Sequence, residues 1–286
     1  MATLYLVRHG QAGFGQDEYD VLSTLGAMQA QALGRYFVMA QRPIDRLWSA
    51  PRRRHRATCD SLCEGMQTAG ADIVGLWRAG TEEGPQIVSG FDEFPFAEIL
   101  AKSCGPGGSL SAEYSALLSE LQGRNPLHDG RAFGRLFRMA MPRWAGGHVD
   151  VSESYAAFCQ RIEATLQDVA WQVAGLPPGH GAVVVTSAGA IAAALRSLLR
   201  VDAATMLNLC LALYNSGVTE LRVRRASGDR DASGKPQHEA QNNTQNEVQN
   251  EVQNEVQNEV QNKVEISLIS MNSVPHLLEP SHRTFR

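Results

Sequence analysis

Arg8, His9 and Gly10 follow directly after an apolar run at residues 4–7. The run has the composition of a buried β-strand, and the glycine after it permits a turn. Ligands bind at the carboxyl ends of strands in α/β sheets, so a guanidinium and an imidazole stand where chemistry is possible. This pair suits phosphate binding with a nitrogen nucleophile, although two surface polar residues at a strand end would look the same.

Three other predicted strand ends carry polar residues. Arg54 lies about one turn into the helix that follows Ser49, Glu93 follows the strand candidate 86–91, and Ser187 follows the apolar run 181–186. If these strands run parallel, all of these residues reach the same edge of the sheet as His9.

This set of residues fits phosphoryl transfer. Arg8 and Arg54 can grip phosphate oxygens, and the N-terminus of a helix at 189–200 adds N–H donors. A neutral His9 can act as the nucleophile, and Glu93 can protonate the leaving oxygen and then activate water.

The elements that must position these residues alternate between strand and helix. Strands are predicted at residues 3–8, 44–48, 86–91, 181–186, 217–225 and 264–271. Helices are predicted from residue 24, with Thr24 as N-cap, at 52–69, from 155 to 173 and at 189–200. This order predicts an α/β fold of three layers with a mainly parallel sheet. Residues 95–150 are too long for a simple crossover and predict a helical cap insertion.

Five segments resemble those of the histidine phosphatase superfamily, the phosphoglycerate mutase-like proteins. They are Leu6-Val7-Arg8-His9-Gly10, residues 49–58, Phe91-Asp92-Glu93, Glu153-Ser154 and residues 214–219. The second family pattern has Arg three residues after Pro and Thr four further on, and Arg54 and Thr58 occupy those positions.

The resemblance implies a phosphoglycerate mutase-like fold and a role for each matching residue. His9 would accept the phosphoryl group, Arg8 and Arg54 would bind phosphate, and Glu93 would donate the proton. No metal and no organic cofactor is implied. Gln11 is either a further phosphate contact or a turn residue.

One position departs from the family pattern. The family has His-Gly after its late buried strand, whereas this chain has Ser187 and Ala188, which we predict to contact phosphate. A neutral hydroxyl donor in place of an imidazolium would cost roughly 1–2 kcal/mol, or a step about five to thirty times slower. This difference from the family pattern predicts that Ser187→His raises the rate of phosphomonoester hydrolysis. His148 could reach the site as a substitute, whereas His180 belongs at the opposite end of the strand.

Four other basic residues follow Pro51. Arg52, Arg53, His55 and Arg56 are predicted to form a solvated helix face, one of which could contact an acidic substrate tail.

Composition narrows the class of protein. The chain has 286 residues, 43% of them hydrophobic, and a net charge of −4. Four Glu and one Lys at 245–264 contribute −3 of this charge, so the remainder is near neutral and gives no support for nucleic-acid binding. No run is long enough for a membrane span, and five scattered cysteines favour free thiols in a cytoplasmic protein.

Residues 245–264 are a tandem repeat of Gln-Asn-Glu-Val, with Gln-Asn-Lys-Val as the last copy. We predict a single domain over 1–286, in which 235–263 form a low-complexity hairpin loop and 264–286 a C-terminal strand and tail. Two interpretations of the repeat stay open, a flexible expansion and an arm for interaction with a partner.

The sequence thus predicts a phosphomonoester hydrolase that acts without a metal on a small phosphorylated substrate. A weakened or inactive member that only binds phosphorylated ligands is the alternative that Ser187 raises. Residues 94–100 differ from the segment that follows the acid in phosphoglycerate mutases, which disfavours mutase activity. No oligomeric state is predicted.

Overall fold

The computed structural model describes residues 1–13, 20–73, 85–226 and 264–285. Six strands form one sheet in these residues: β1 (Ala2–Arg8), β2 (Ile44–Ser49), β3 (Gln86–Ile87), β4 (Gly181–Thr186), β5 (Val218–Arg225) and β6 (Val264–Ser273). Their order is β3–β2–β4–β1–β5–β6. The first four strands are parallel, and β5 and β6 pair antiparallel to their neighbours, which confirms the mainly parallel sheet.

The pairing of the central strands β1 and β4 determines which residues lie side by side where these strands end. In the parallel register of β1 and β4, Arg8 lies beside Thr186, the last residue of its strand. The His9 amide donates to the Thr186 carbonyl at 2.9 Å, so His9 and Ser187 leave the sheet side by side. Two residues 178 positions apart in the chain are thereby made neighbours.

Helices cover both faces of the sheet in the described residues. They are α1 (Thr24–Met39), α2 (Arg53–Thr68), α3 (Phe96–Cys104), α4 (Ser111–Glu120), α5 (Gly130–Ala145), α6 (Tyr155–Val173), α7 (Ala188–Leu199) and α8 (Ala203–Ala212). The predicted N-cap Thr24 is wrong by one residue, because the Ser23 hydroxyl accepts from the Gly26 amide at 3.0 Å.

Side chains alternate between the two faces of the sheet, as strand geometry requires. Val7 and Val185 pack in one buried cluster with α1 and α2, whereas Leu6 and Val184 belong to the larger cluster with α6 and α7. The result is the predicted three-layer arrangement. Helices α1 and α2 cross so closely that a Cβ at Gly34 would lie 2.0 Å from the Leu62 carbonyl oxygen.

The segment 95–150 contains α3, α4 and α5, which extend the larger cluster beyond the sheet. An aromatic group joins it to α6, with the Phe94 ring 5.3 Å from Trp144 and 5.6 Å from Phe158. Phe94 is the residue after Glu93, so this packing anchors the chain next to a candidate site residue.

One predicted strand needs correction, and one helix was missed. The predicted strand 86–91 ends after Ile87, and Ser89–Phe91 form a 3₁₀ turn. The chain turns here because the Thr186 hydroxyl donates a hydrogen bond to the Phe91 carbonyl at 2.6 Å and Gly90 packs against Thr165. Helix α8 was not predicted, since its short apolar run shows no clear helical period.

The two late strands pair as a hairpin would require, with Arg225 beside Val264. The repeat ahead of Val264 lies outside the described residues, as does residue 286. All five cysteines are buried free thiols. Across the described ranges, we find no helix that is both long and apolar enough to cross a membrane.

Candidate active site

His9 occupies the end of β1 with only 3% of its surface exposed. Its Nδ1 lies 2.7 Å from the carbonyl oxygen of Gly10. Because a carbonyl oxygen can only accept, Nδ1 carries the ring proton and Nε2 keeps its lone pair. The carbonyl of His9 accepts from the Ser216 amide at 3.2 Å and the Asn215 side chain at 3.3 Å. The ring is therefore held in one tautomer on a fixed backbone.

Arg54 lies in the first turn of α2, where the sequence placed it. Its Nε donates to His9 Nε2 at 3.2 Å, and its Nη2 donates to Ser187 Oγ at 3.2 Å. The Thr58 hydroxyl bonds the Arg54 carbonyl at 2.7 Å and accepts from the Gly10 amide at 3.1 Å. The matching Arg and Thr positions thus join α2 to the loop of the candidate nucleophile.

Asp20 is a site residue that the sequence analysis missed. Its carboxylate accepts from Arg54 Nη1 at 2.8 Å and from the Arg53 amide at 3.0 Å. It thereby neutralises the guanidinium and binds the N-terminus of α2, where anions are stabilised. Only contact with α2 distinguishes this Asp from an ordinary loop carboxylate, so no local signal could have found it.

Arg8 is buried beside His9, and its guanidinium donates to the Leu213 carbonyl. Burial, together with the charges of Arg54 and Arg8, holds the pKa of His9 well below its usual value of 6.5. The imidazole is neutral at neutral pH, and a neutral ring is what nucleophilic attack through Nε2 requires.

Glu93 reaches the N-terminus of α7 from the 3₁₀ turn. One carboxyl oxygen accepts from the Gly189 amide at 3.4 Å and the other from the Phe94 amide at 3.2 Å. Burial raises the pKa of this carboxyl above 4.5, against the opposing charge of Arg54. The acid form therefore persists to higher pH than in a free Glu, which suits a proton donor.

Two arginines hold the Glu93 loop. Arg52 donates to Asp92 Oδ1 at 2.6 Å, and the same oxygen accepts from the Glu93 amide at 2.8 Å. Arg161 of α6 donates to the Gly90 carbonyl at 2.7 Å while Glu153 binds its other nitrogens at 2.7 and 2.8 Å. The Glu153 that matched the family segment thus supports the loop through Arg161.

His55 corrects the prediction of a solvated basic face. It is fully buried, and its Nε2 lies 2.7 Å from Ser187 Oγ, with the ring centre 5.5 Å from that of His9. Arg53 and Arg56 are exposed as predicted. The difference follows from helix phase, because His55 shares one face of α2 with the buried Cys59 and Leu62. That spacing was the available signal.

The remaining candidates lie as follows. The Gln11 side-chain oxygen accepts from the Ser23 hydroxyl at 3.0 Å, and the Gln11 backbone N–H donates to Gln29 Oε1. The described contacts of Gln11 are therefore with α1 and its N-cap. Ala188 is the first residue of α7, directly after Ser187. His148 is exposed, and His180 binds Asp45 at 2.8 Å at the far end of β4. A histidine does lie beside Ser187, but it is His55 and neither of the two considered.

The histidine phosphatase superfamily model, branch 1, matches residues 4–74 and 97–232, which is more than half of the chain. The chain belongs to the histidine phosphatase superfamily. The matched ranges include His9, Arg54 and Ser187, whereas Glu93 lies between them. The predicted family and fold class are confirmed. No curated protein matches this member of the superfamily.

Solved structures share the fold of this superfamily member. A phosphoserine phosphatase mutant from Entamoeba histolytica, solved with phosphoserine, is 18% identical with a TM-score of 0.51; the match covers 97% of this chain and 100% of that one. A structure named mycobacterial hydrolase 1 is 18% identical with a TM-score of 0.52; that match covers 96% of this chain and 100% of the other. At this identity the likeness concerns the fold.

Proposed function

We propose that this histidine phosphatase superfamily member hydrolyses small phosphomonoesters through a phosphohistidine on His9 Nε2. The observation that carries the proposal is the fixed tautomer of a buried, neutral His9 whose Nε2 faces the Arg54 guanidinium at 3.2 Å. In this structure the Nε2 lone pair accepts a hydrogen bond from Arg54 Nε, so a bound phosphoryl group takes the place of that contact: Nε2 then faces phosphorus, and Arg54 donates to the phosphoryl oxygens.

In the first step, His9 Nε2 forms a bond to phosphorus and the ester P–O bond breaks. Arg8 and Arg54 bind the phosphoryl oxygens and stabilise their charge, as arginines do in other phosphoryl-transfer sites. Glu93 gives its proton to the leaving oxygen, so the product departs as an alcohol. The raised pKa of Glu93 favours this role, since the acid must still hold its proton.

In the second step, the Glu93 carboxylate takes a proton from water, and the water oxygen bonds to phosphorus as the P–N bond breaks. His9 recovers its Nε2 lone pair. Its Nδ1 keeps its proton in both steps and donates it in a hydrogen bond to the Gly10 carbonyl. The net change is a phosphomonoester and water giving an alcohol and inorganic phosphate. The two arginines supply the positive charge of the site, so the scheme uses no metal ion.

Hydrolysis of p-nitrophenyl phosphate in EDTA by wild type and His9→Ala tests the proposal. We expect the loss of His9 to lower kcat at least about 1000-fold, since the covalent step is removed. The phosphoenzyme trapped in wild type should be labile in acid and stable in base. His148→Ala, at an exposed position, serves as the matched control and should keep the wild-type rate.

A wild-type protein no faster than His9→Ala would contradict the proposal. Binding of inorganic phosphate by such a protein would then identify it as a member that holds phosphorylated ligands without turnover.

A further inference from the structure

We propose that His55 is a positioning residue for Ser187, and that the two together supply the phosphoryl contact that the second histidine makes elsewhere in the superfamily. This inference rests on the proposed function, because it assigns a role in the same phosphoryl transfer. His55 Nε2 lies 2.7 Å from Ser187 Oγ although the residues are 132 positions apart.

The hydrogen-bonding capacity of Ser187 carries the argument. A hydroxyl has two acceptor lone pairs and one proton to donate. Arg54 Nη2 can only donate, so it uses one lone pair of Ser187 Oγ, at 3.2 Å. If His55 Nε2 also donates, both lone pairs are used, and the single proton of Ser187 is left for a phosphoryl oxygen. If His55 accepts instead, that proton is consumed.

The surroundings of the His55 ring favour the donating tautomer. Its Nδ1 is buried and makes no hydrogen bond within the described part of the chain. Burial and the charges of Arg54 and Arg52 lower the pKa of His55 well below 6.5, against an opposing effect of the Ala50 carbonyl. The ring is thus neutral with one proton. We place that proton on Nε2, because Ser187 Oγ lies 2.7 Å from it whereas Nδ1 has no partner at hydrogen-bonding distance among the described residues.

The same geometry revises the prediction for Ser187→His. Ser187 and His55 are both fully buried, so an imidazole added at position 187 would occupy the volume of the ring already present. Overpacking of a buried site displaces its neighbours. We therefore expect Ser187→His alone to lower the rate, and His55→Ala in the same chain to recover it by making room.

Matched variants test the donor role. His55→Gln keeps an N–H donor, whereas His55→Met has similar bulk and none. We expect His55→Met to lower kcat about fivefold to tenfold at nearly constant KM, as loss of one neutral hydrogen bond in the transition state should. His55→Gln should retain most of the rate. Ser187→Ala should lower kcat similarly, and adding His55→Met to it should cost little more.

Two measurements keep the test independent of turnover. Nitrogen-15 NMR of the free protein should show the His55 proton on Nε2, and thermal unfolding shows whether each variant folds. A proton on Nδ1, equal rates for His55→Gln and His55→Met, or a faster Ser187→His single variant would each overturn the inference. If wild type does not hydrolyse phosphomonoesters, the proposed function fails, and the NMR result still decides the His55–Ser187 contact.

Discussion

Burial shifts the pKa values of His9 and Glu93 in opposite directions, and each shift favours the uncharged form. The imidazole must lose its proton to act as a nucleophile, and the carboxyl must keep its proton to act as an acid. The cations Arg8 and Arg54 lower the His9 pKa further and partly oppose the rise at Glu93. Opposite protonation requirements are thus met at one pH.

The pH dependence of the phosphorylation step follows from these directions. Because the His9 pKa lies well below 6.5, single-turnover phosphorylation of His9 should persist on the acid side past that value. The proposed mechanism uses Glu93 in its protonated form, so phosphorylation by an alkyl phosphomonoester should slow on the alkaline side as the raised pKa of Glu93 is passed. Glu93→Gln should remove the alkaline fall and lower kcat about 10²- to 10⁴-fold.

The choice of leaving group gives the control for Glu93→Gln. The p-nitrophenolate ion leaves without a proton, so phosphorylation by p-nitrophenyl phosphate should suffer less than phosphorylation by an alkyl ester. Equal losses in single-turnover phosphorylation with both substrates would contradict the assignment of Glu93 as the acid.

The position of the Glu93 carboxyl depends on contacts between helices and the Glu93 loop more than on the residues next to Glu93 in the chain. The N-terminal turn of α7 meets the Glu93 loop at Gly189, where an added Cβ would lie 2.0 Å from Glu93 Oε1 and 2.3 Å from the Phe94 ring. Arg161 of α6 holds the same loop from the other side through the Gly90 carbonyl. The carboxyl is therefore held between two helices that are adjacent in the fold.

Gly189→Ala should disturb Glu93 without changing any charged group. We expect kcat for alkyl phosphates to fall more than kcat for p-nitrophenyl phosphate, and unfolding free energy to drop by about 1–3 kcal/mol from overpacking. Gly175→Ala is the matched control, because a Cβ there meets no atom closer than 3.4 Å. Steady-state kinetics and denaturant unfolding measure both effects. An unchanged leaving-group ratio would argue against this contact as the support of the acid.

At the scale of the whole molecule, the two strands that flank the repeat-containing segment, β5 and β6, pair with each other in the sheet. Arg225 at the end of β5 pairs with Val264 at the start of β6, so a short turn can connect the two strands. The pairing of β5 with β1 brings Val218 beside Val7, next to the candidate site, so β5 also contacts the sheet independently of the connection to β6.

Replacing residues 227–263 by a four-residue Asn-Gly-containing turn should therefore leave kcat unchanged. A shorter connection also costs less entropy on closure, by about 2 kcal/mol, so Tm should stay the same or rise by a few degrees. Calorimetry and phosphatase assays of the two proteins make the comparison. A fall in Tm or kcat would contradict the interpretation of the repeat as a flexible expansion.

Much of the fold, and the candidate site residues His9 and Arg54, follow from local sequence patterns. The apolar runs of β1 and β4, and the turn after each, identify buried strands and their polar ends. The spacing that places Arg54 and Thr58 one helical turn apart is also local. These features were predictable because strand alternation, helical period and turn chemistry act over a few residues.

Tertiary structure alone decided which side chains complete the site. The parallel register of β1 and β4 sets His9 beside Ser187, and the packing of α2 brings His55 Nε2 within 2.7 Å of Ser187 Oγ. Asp20 contacts Arg54 from the segment that precedes α1, 34 positions away in the chain. Such contacts join residues far apart in the chain, so they depend on how whole elements pack, which no local pattern encodes.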